Sequence, residues 1–236
     1  MPTYTSTSTL LDVMNRVLLD IGEIRVAGLT TPVAEKARDY IQIAYRDVIE
    51  AYEWDFLRDK ITATTWVGNT ATLSNTKHVH DVTWYYNNGQ GYTTEYPLRF
   101  IDEVSFNRIY PQAFSSVAST AYRPNAYTVL DSNTVRINPY PTNSEGQSLV
   151  FFYISKTLPA PAATNNFFQI PEEYLDLVRF RAGAMLARLH AEDDATAGYL
   201  NAEYENRMRK YRLNRDRTPS NTTNLYKSRY RSFRYY

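Results

Sequence analysis

The sequence predicts an α+β protein in which two helix pairs form a four-helix bundle, with an inserted antiparallel β domain and an extended carboxyl-terminal arm. Three observations carry this prediction. Apolar residues recur at helical spacing near both ends, apolar and polar residues alternate between frequent turn signals in the middle, and no period continues beyond Pro219. The predicted boundaries are 1–58 for the first helix pair, 59–158 for the β domain, 167–214 for the second pair and 215–236 for the arm.

The composition is that of a globular protein with a substantial core. Of the 236 residues, 43% are hydrophobic and 22% are charged. The absence of cysteine excludes disulfides, thiol nucleophiles and thiolate metal ligands. No apolar run approaches the about 18 residues of a membrane span, and the first residues resemble no signal peptide. We therefore expect a protein that neither enters a membrane nor is secreted through a signal peptide.

The first two helices are predicted from their end signals. The first begins after Thr9, because Asp12 completes a variant of the capping box, and ends at Gly22, a glycine in the usual carboxyl-terminal position. The second begins at Thr31-Pro32, where a capping residue precedes a proline at the first helical position. It continues to the aromatic segment that contains Trp54.

The last two helices follow the β segment. Pro171-Glu172-Glu173 opens the third helix, with carboxylates in its positive first turn, and the fourth begins near Glu192-Asp193-Asp194. Because lone helices cannot bury their apolar stripes, we expect all four helices to pack together. The stripe of the third helix is predicted to comprise Leu175, Val178, Ala182, Met185 and Leu189.

The middle of the chain carries strand signals. Gly68-Asn69 is typical of a hairpin turn, and a second hairpin joins 127–130 to 134–138 through the turn residues Asp131-Ser132-Asn133. The segment 149–154 is apolar on both faces, which predicts a central strand.

Charge is divided unevenly along the chain. Residues 207–236 contain ten basic residues and one acid, a net charge of +9, whereas residues 1–206 contain 16 basic and 24 acidic residues, a net charge of −8. The sequence also contains 21 tyrosines, a residue suited to interfaces because it offers large contact area and a polar tip. An acidic body and a basic tail are expected to meet different partners.

Basic and aromatic residues alternate in the tail, which composition predicts to be disordered alone. Such residues can bind phosphates and stack on bases, so nucleic acid is one candidate partner. They can equally dock on a protein through arginine forks and buried tyrosine rings, which we favour, and an idle solvated tail is the third alternative. The predicted partner-binding residues are Arg215, Arg217, Tyr226, Lys227, Arg229, Tyr230, Arg231, Phe233, Arg234, Tyr235 and Tyr236.

Motifs for catalysis are absent from the sequence. It contains no phosphate-binding glycine loop, no nucleophile elbow and no metalloprotease motif, and its only histidines are His78, His80 and His190. His78 and His80 share one face of a strand and could bind a metal with a third ligand, but no neighbour in the sequence supplies one. The carboxylates at the helix starts are assigned to capping rather than to acid–base catalysis. We expect no enzyme, no cofactor and no metal site.

Three places resemble a known family, the head-to-tail adaptor of short-tailed phages called tail tubular protein A. Residues 10–15, followed by Ile21-Gly22-Glu23, are similar to the family's opening helix and its Ile-Gly-Glu end. Residues 52–56 are similar to a Trp-x-Phe element that ends the second helix. Residues 170–174, followed by Arg179-Phe180-Arg181-Ala182, are similar to a Pro-Glu helix start and a later Arg-Ala step.

This resemblance implies a structural protein of the virion. It would assemble as a ring of twelve copies between the portal protein and the tail nozzle protein, and it would extend the DNA channel without sequence-specific binding of the passing genome. It would be found in the host cytoplasm during assembly. The arm would bind the portal or a neighbouring subunit. The alternative from the residues alone is a structural protein that binds nucleic acid through its basic, aromatic tail.

Overall fold

The computed structural model describes residues 5–63, 70–87, 93–111, 124–131, 133–138 and 147–217. Within these residues the chain forms five α-helices, one short 3-10 helix and eight strands, which confirms the α+β class. The helices are α1 (Leu10–Asp20), α2 (Pro32–Ala51), α3 (Glu103–Ile109), α4 (Glu172–Leu189) and α5 (Asp194–Arg217), and the 3-10 helix is Asp55–Leu57. The strands are β1 (Arg58–Ala63), β2 (Thr70–Thr72), β3 (Thr76–Asn87), β4 (Thr93–Pro97), β5 (Arg99–Phe100), β6 (Ala126–Val129), β7 (Thr134–Asn138) and β8 (Gln147–Ser155).

The chain divides into two compact units. Among the described residues, the helical unit contains Thr5–Val48 and the chain from Ala160 to the end of α5, and the β unit contains those within Ile49–Pro159. Helices α1, α4 and α5 and most of α2 belong to the helical unit, whereas α3 and all eight strands belong to the β unit. Among the described residues, no helix combines the length and apolar character needed to span a membrane.

Helix α1 has the predicted start and end. The Thr9 hydroxyl accepts from the Asp12 amide, and the Asp12 carboxylate accepts from the Thr9 amide, so the capping box is complete. At the other end Gly22 has a φ of 81°, a left-handed conformation that favours glycine. The amides of Gly22 and Glu23 donate to the carbonyls of Leu19 and Leu18, which satisfies two backbone acceptors in a Schellman motif.

Helix α4 buries residues beyond the predicted single stripe, which is therefore too narrow. The prediction is wrong for Leu189, which lies in the last turn with 64% of its surface exposed. Gly183 marks a close approach to α5, because a β-carbon there would lie 3.1 Å from Leu200 Cδ1. The buried residues of α4 are Leu175, Leu177, Val178, Phe180, Ala182, Gly183, Ala184, Leu186 and Ala187.

The first sheet of the β unit has the strand order β1-β8-β3-β4, and all its pairings are antiparallel. Strand β8 pairs with β1 on one side and β3 on the other, which confirms the predicted central strand. The β3–β8 register shifts between Thr76 and His78 and again between Val79 and Asp81. Strand β3 is therefore irregular around its two histidines.

The second sheet has the order β2-β7-β6-β5 and corrects one prediction. The hairpin of β6 and β7 is confirmed, and Asp131 accepts from the amides of Asn133 and Thr134 at its turn. The predicted turn at Gly68-Asn69 lies outside the described residues. Strand β5, however, pairs parallel to β6, so the sheet is not purely antiparallel. The long connection that contains α3 permits this, because parallel neighbours require a crossover.

Both sheets contribute to one apolar core in the β unit. The cluster includes Trp84 and Phe151 from the first sheet and Tyr127, Val135 and Ile137 from the second. The alternation of strand side chains places these residues on the inner faces. The β unit thus has its own hydrophobic core.

Candidate interaction site

The first residues of the predicted arm are helical. Helix α5 continues to Arg217, so the backbones of Arg215 and Arg217 belong to its last turn and not to an extended segment. Basic residues are favoured at the negative end of a helix, and the next helix-breaking residue of the sequence is Pro219. The other predicted partner-binding residues, all within 226–236, lie outside the described residues.

Side-chain contacts near the carboxyl end of α5 hold it on α4. The Tyr211 hydroxyl donates to the Glu173 carbonyl oxygen at 2.7 Å, and Arg207 Nη1 lies 2.6 Å from Asp176 Oδ2. The Arg207 guanidinium also lies 4.9 Å from the centroid of the Phe180 ring. Burial, and then the nearby Glu173 carboxylate, raises the pKa of Tyr211, so its hydroxyl keeps its proton at neutral pH. Helix α5 therefore ends less than two turns beyond a fixed point.

Two arginines of α4 connect it to the other helices of its unit. Arg179 makes a two-pronged contact with Asp20 at the end of α1, with nitrogen–oxygen distances of 2.7 and 2.6 Å. Arg181 Nε donates to Asp47 Oδ2 of α2 at 3.1 Å, and Arg181 Nη1 lies 3.5 Å from Asn201 Oδ1 of α5. Both arginines belong to the segment that resembles the phage adaptors. In this structure they act as struts between helices.

Glu172 fastens the amino-terminal segment to the start of α4. Its carboxylate accepts hydrogen bonds from the backbone amides of Thr7 and Ser8, at 3.1 and 3.2 Å, and from both hydroxyls. Arg16 Nη1 lies 3.7 Å away. Burial raises the pKa of Glu172, but the hydrogen bonds from Ser8 and Thr7 together outweigh it and lower the pKa below its usual value. The sequence predicted only a favourable helix-start carboxylate here.

The acidic run before α5 acts as predicted. Asp193 precedes the helix, and its Oδ1 accepts from the Thr196 amide at 3.0 Å. The hydrogen bonds from the Thr196 side chain and amide lower the pKa of Asp193, as expected for a capping carboxylate. Glu192 has a φ of 54°, so the chain turns sharply into the helix there.

The structure brings a candidate third ligand, Glu53, beside His78 and His80. Glu53, which lies between α2 and the 3-10 helix, places Oε1 3.2 Å from His78 Nδ1. His78 Nε2 lies 3.3 Å from His80 Nδ1. The sequence could not reveal this group, because Glu53 is 25 positions from His78 and only tertiary folding brings them together.

Comparison with known proteins supports an adaptor role. The profile of the SU10 adaptor protein family matches residues 8–225, which include every helix of the helical unit and every strand of the β unit. No curated protein matches the chain. The match confirms the phage-adaptor part of the resemblance seen in the sequence. The chain therefore belongs to the SU10 adaptor protein family, and it is a structural adaptor of a phage virion that interacts with other head and tail proteins.

Proposed function

We propose that the protein assembles as a ring, of twelve copies, between the portal protein and the tail nozzle protein of a short-tailed phage. The ring extends the channel through which the genome leaves the head, and the protein performs no catalysis. The observation that carries this proposal is the family match over residues 8–225. The resemblance to tail tubular protein A supplies the ring and its neighbours.

Ion pairs between the helices of the helical unit support a role as a rigid structural subunit. We propose that α1, α2, α4 and α5 form the four-helix bundle expected from the sequence. Arg179, Arg181 and Arg207 of this unit each pair with a carboxylate on another helix, at Asp20, Asp47 and Asp176. A subunit braced in this way keeps its shape while its neighbours pull on it.

The charge distribution supports a channel that does not retain DNA. Residues 1–206 carry a net charge of −8, and fixed negative charge repels phosphates. Of the ten basic residues in 207–236, six lie on α5, and an arm can carry the other four away from the channel. We infer that the genome passes without sequence-specific binding.

The arm is proposed to bind the portal or a neighbouring subunit and to order on contact. The family match ends at residue 225, immediately before the basic and aromatic run from Tyr226 to Tyr236. We infer that this run makes a contact particular to this protein and its partner. Arginine forks on carboxylates and tyrosine rings in apolar pockets would supply the binding energy. Assembly is proposed to take place in the host cytoplasm.

The decisive experiment is co-assembly with portal rings of the same phage. The full chain should form a complex whose mass and symmetry correspond to twelve adaptors on one portal ring. A chain that ends at Thr218 should keep its circular dichroism spectrum and melting temperature, because α5 ends at Arg217. It should nevertheless fail to bind the portal.

A matched control keeps the positive charge of the arm and removes the guanidinium groups that can make two parallel hydrogen bonds to a carboxylate. Replacing Arg229, Arg231 and Arg234 with lysine should weaken portal binding, because lysine cannot form the two-pronged contact. Undiminished portal binding by the chain that ends at Thr218 would rule out the arm's role. A product of another symmetry would rule out the twelve-copy ring.

A further inference from the structure

We propose that Glu53, His78 and His80 form a binding site for a divalent transition-metal ion such as Zn²⁺. One carboxylate oxygen and one nitrogen from each ring lie within 4.8 Å of one another. All three residues belong to the β unit, so the site is complete within one compact part of the chain. This site is independent of the proposed portal contact.

The candidate ligand atoms lie within a side-chain rotation of the spacing in a metal centre. Zinc bonds to nitrogen and oxygen are about 2.0–2.2 Å long, so neighbouring ligand atoms of a tetrahedral site lie about 3.3–3.5 Å apart. Glu53 Oε1 lies 3.2 Å from His78 Nδ1, and His80 Nδ1 lies 3.3 Å from His78 Nε2, so the two contacts use opposite nitrogens of the His78 ring. Because one ion can bind only one of these nitrogens, a rotation must bring the remaining ligand atom, which lies within 4.8 Å of the other two, to the spacing of the site.

The backbone supports this arrangement. Glu53 lies in the short connection between α2 and the 3-10 helix, and the histidines lie on β3, an interior strand of its sheet. One register shift of β3 lies just before His78, and the other falls at His80, between Val79 and Asp81. Irregularities of this kind re-aim side chains and are common beside functional sites. The two rings meet edge to face, with their centroids 4.3 Å apart.

The ligand chemistry selects the class of metal. Two imidazoles and one carboxylate suit zinc, nickel or copper, whereas calcium and magnesium prefer oxygen ligands alone. The side chains of His78 and Glu53 are 35% and 40% exposed, and His80 is exposed, so an ion can enter from solvent. Three protein ligands leave a fourth position for water or for a group from a partner.

A bound ion would join two distant parts of the β unit. It would link the segment after α2 to the middle of the first sheet, across 25 positions of the sequence. Because the ion binds only the folded arrangement, it would stabilise the β unit by a free energy that grows with the logarithm of its concentration above Kd. The site would act as a metal-dependent clamp on the connection that enters the sheet.

Zinc binding by the full chain, prepared without a histidine tag, tests this proposal. Calorimetric titration near neutral pH should show one Zn²⁺ per chain, and Co²⁺ should give the visible absorption of a tetrahedral site. Because the sequence contains no cysteine and three histidines, few other sites can compete. His80→Ala should lower the affinity at least about 100-fold, since even outer-shell partners contribute 10–100-fold.

His190→Ala is the matched control. His190 lies in the helical unit, where its Nδ1 is 3.3 Å from Lys36 Nζ, and its loss should leave zinc affinity unchanged. Glu53→Gln keeps the side-chain shape and should lower the affinity at least about tenfold, which decides the question if His80→Ala impairs folding. At the same zinc concentration, the melting temperature should rise more for the unaltered chain than for Glu53→Gln. The proposal would be overturned if the unaltered chain bound no zinc, or if His80→Ala and Glu53→Gln both bound zinc as tightly as the unaltered chain.

Discussion

At the scale of single residues, Glu172 shows how one carboxylate can do more than complement a helix dipole. It accepts hydrogen bonds from the amides and hydroxyls of Thr7 and Ser8, which lie more than 160 positions earlier in the sequence. The amino-terminal segment is thereby attached to the start of α4. The contribution of these hydrogen bonds to stability depends on the charge of the Glu172 carboxylate, because hydrogen bonds to charged groups are stronger than those between neutral groups.

Glu172→Gln should lower the free energy of unfolding at neutral pH by about 1–2 kcal/mol. The folded state lowers the pKa of Glu172 from its usual 4.5, so the carboxylate contributes stability above that pH. This contribution is lost as the pH falls through the lowered pKa. The difference in unfolding free energy between the unaltered chain and Glu172→Gln should therefore shrink in acid, as urea unfolding at several pH values would show.

Glu173→Gln is the matched control for this prediction. Glu173 lies in the same first turn of α4, and its substitution removes the same dipole-favoured charge without removing the bonds to Thr7 and Ser8. Glu173→Gln should lower the free energy of unfolding by less than about 1 kcal/mol. Equal losses from the two substitutions would show that the bonds to the amino-terminal segment contribute nothing.

A second prediction at this scale concerns Gly22. Its φ of 81° is unfavourable for any residue with a β-carbon, so Gly22→Ala should destabilise the protein by about 1 kcal/mol. Gly28→Ala is the control, because a β-carbon at either glycine would meet no atom within 4 Å and Gly28 has an ordinary φ. Thermal unfolding of both variants would measure the effect of the backbone alone. No difference between them would exclude strain at the end of α1.

At the scale of elements, α4 is the helix to which the others of its unit are fixed. Its Arg179 contacts α1, and its Arg181 contacts α2 and α5. The side chains of Arg179 and Asp20 are only 29% and 13% exposed, so their pairing is partly shielded from water. Partial burial makes the loss of one partner more costly than at the surface.

Arg179→Met should therefore lower the free energy of unfolding by about 1.5–3 kcal/mol, mainly because Asp20 would be left half-buried without its partner. Arg188→Met is the control on the same helix. The side chains of Arg188 and Asp194 are 65% and 86% exposed where they meet. Arg188→Met should therefore lower the free energy of unfolding by less than about 1 kcal/mol. A double-mutant cycle with Asp20→Asn isolates the pair. A coupling energy near zero would contradict the strut role of Arg179.

Element boundaries also show what local sequence can predict. The start of α1 at Thr9, its end at Gly22 and the cap at Asp193 depend on neighbours within a few residues, and all were predicted. The parallel pairing of β5 with β6 was not, because it depends on a crossover rather than on either strand. The buried residues of α4 outside the predicted stripe were missed for the same reason, since a helix sequence does not show how many neighbours pack around it.

At the scale of the whole molecule, the salt dependence of binding by the arm is expected to show whether its partner is a protein or a nucleic acid. Residues 219–236 contain four basic side chains, at Lys227, Arg229, Arg231 and Arg234. If they neutralised four phosphates of duplex DNA, log affinity would fall against log salt with a slope of about −3.6. Docking on the portal through aromatic anchors should give a shallower slope.

Binding of the full chain to portal rings and to a DNA duplex, measured by fluorescence anisotropy across a salt series, tests this prediction. We expect tighter binding to the portal at every salt concentration. The chain that ends at Thr218 controls for contacts outside the arm. Tight binding to DNA with the steep slope, and none to the portal, would instead support the nucleic-acid alternative.

The sequence by itself determined the α+β class, the order of the elements, several helix ends and the likeness to phage adaptors. These depend on periodicity and on short-range hydrogen bonds, which a linear chain already contains. Only the tertiary structure decided that Glu53 meets His78 and that Glu172 holds Thr7 and Ser8. Such contacts join residues far apart in sequence, and they form only when burial of apolar surface has folded each unit and brought the partners together.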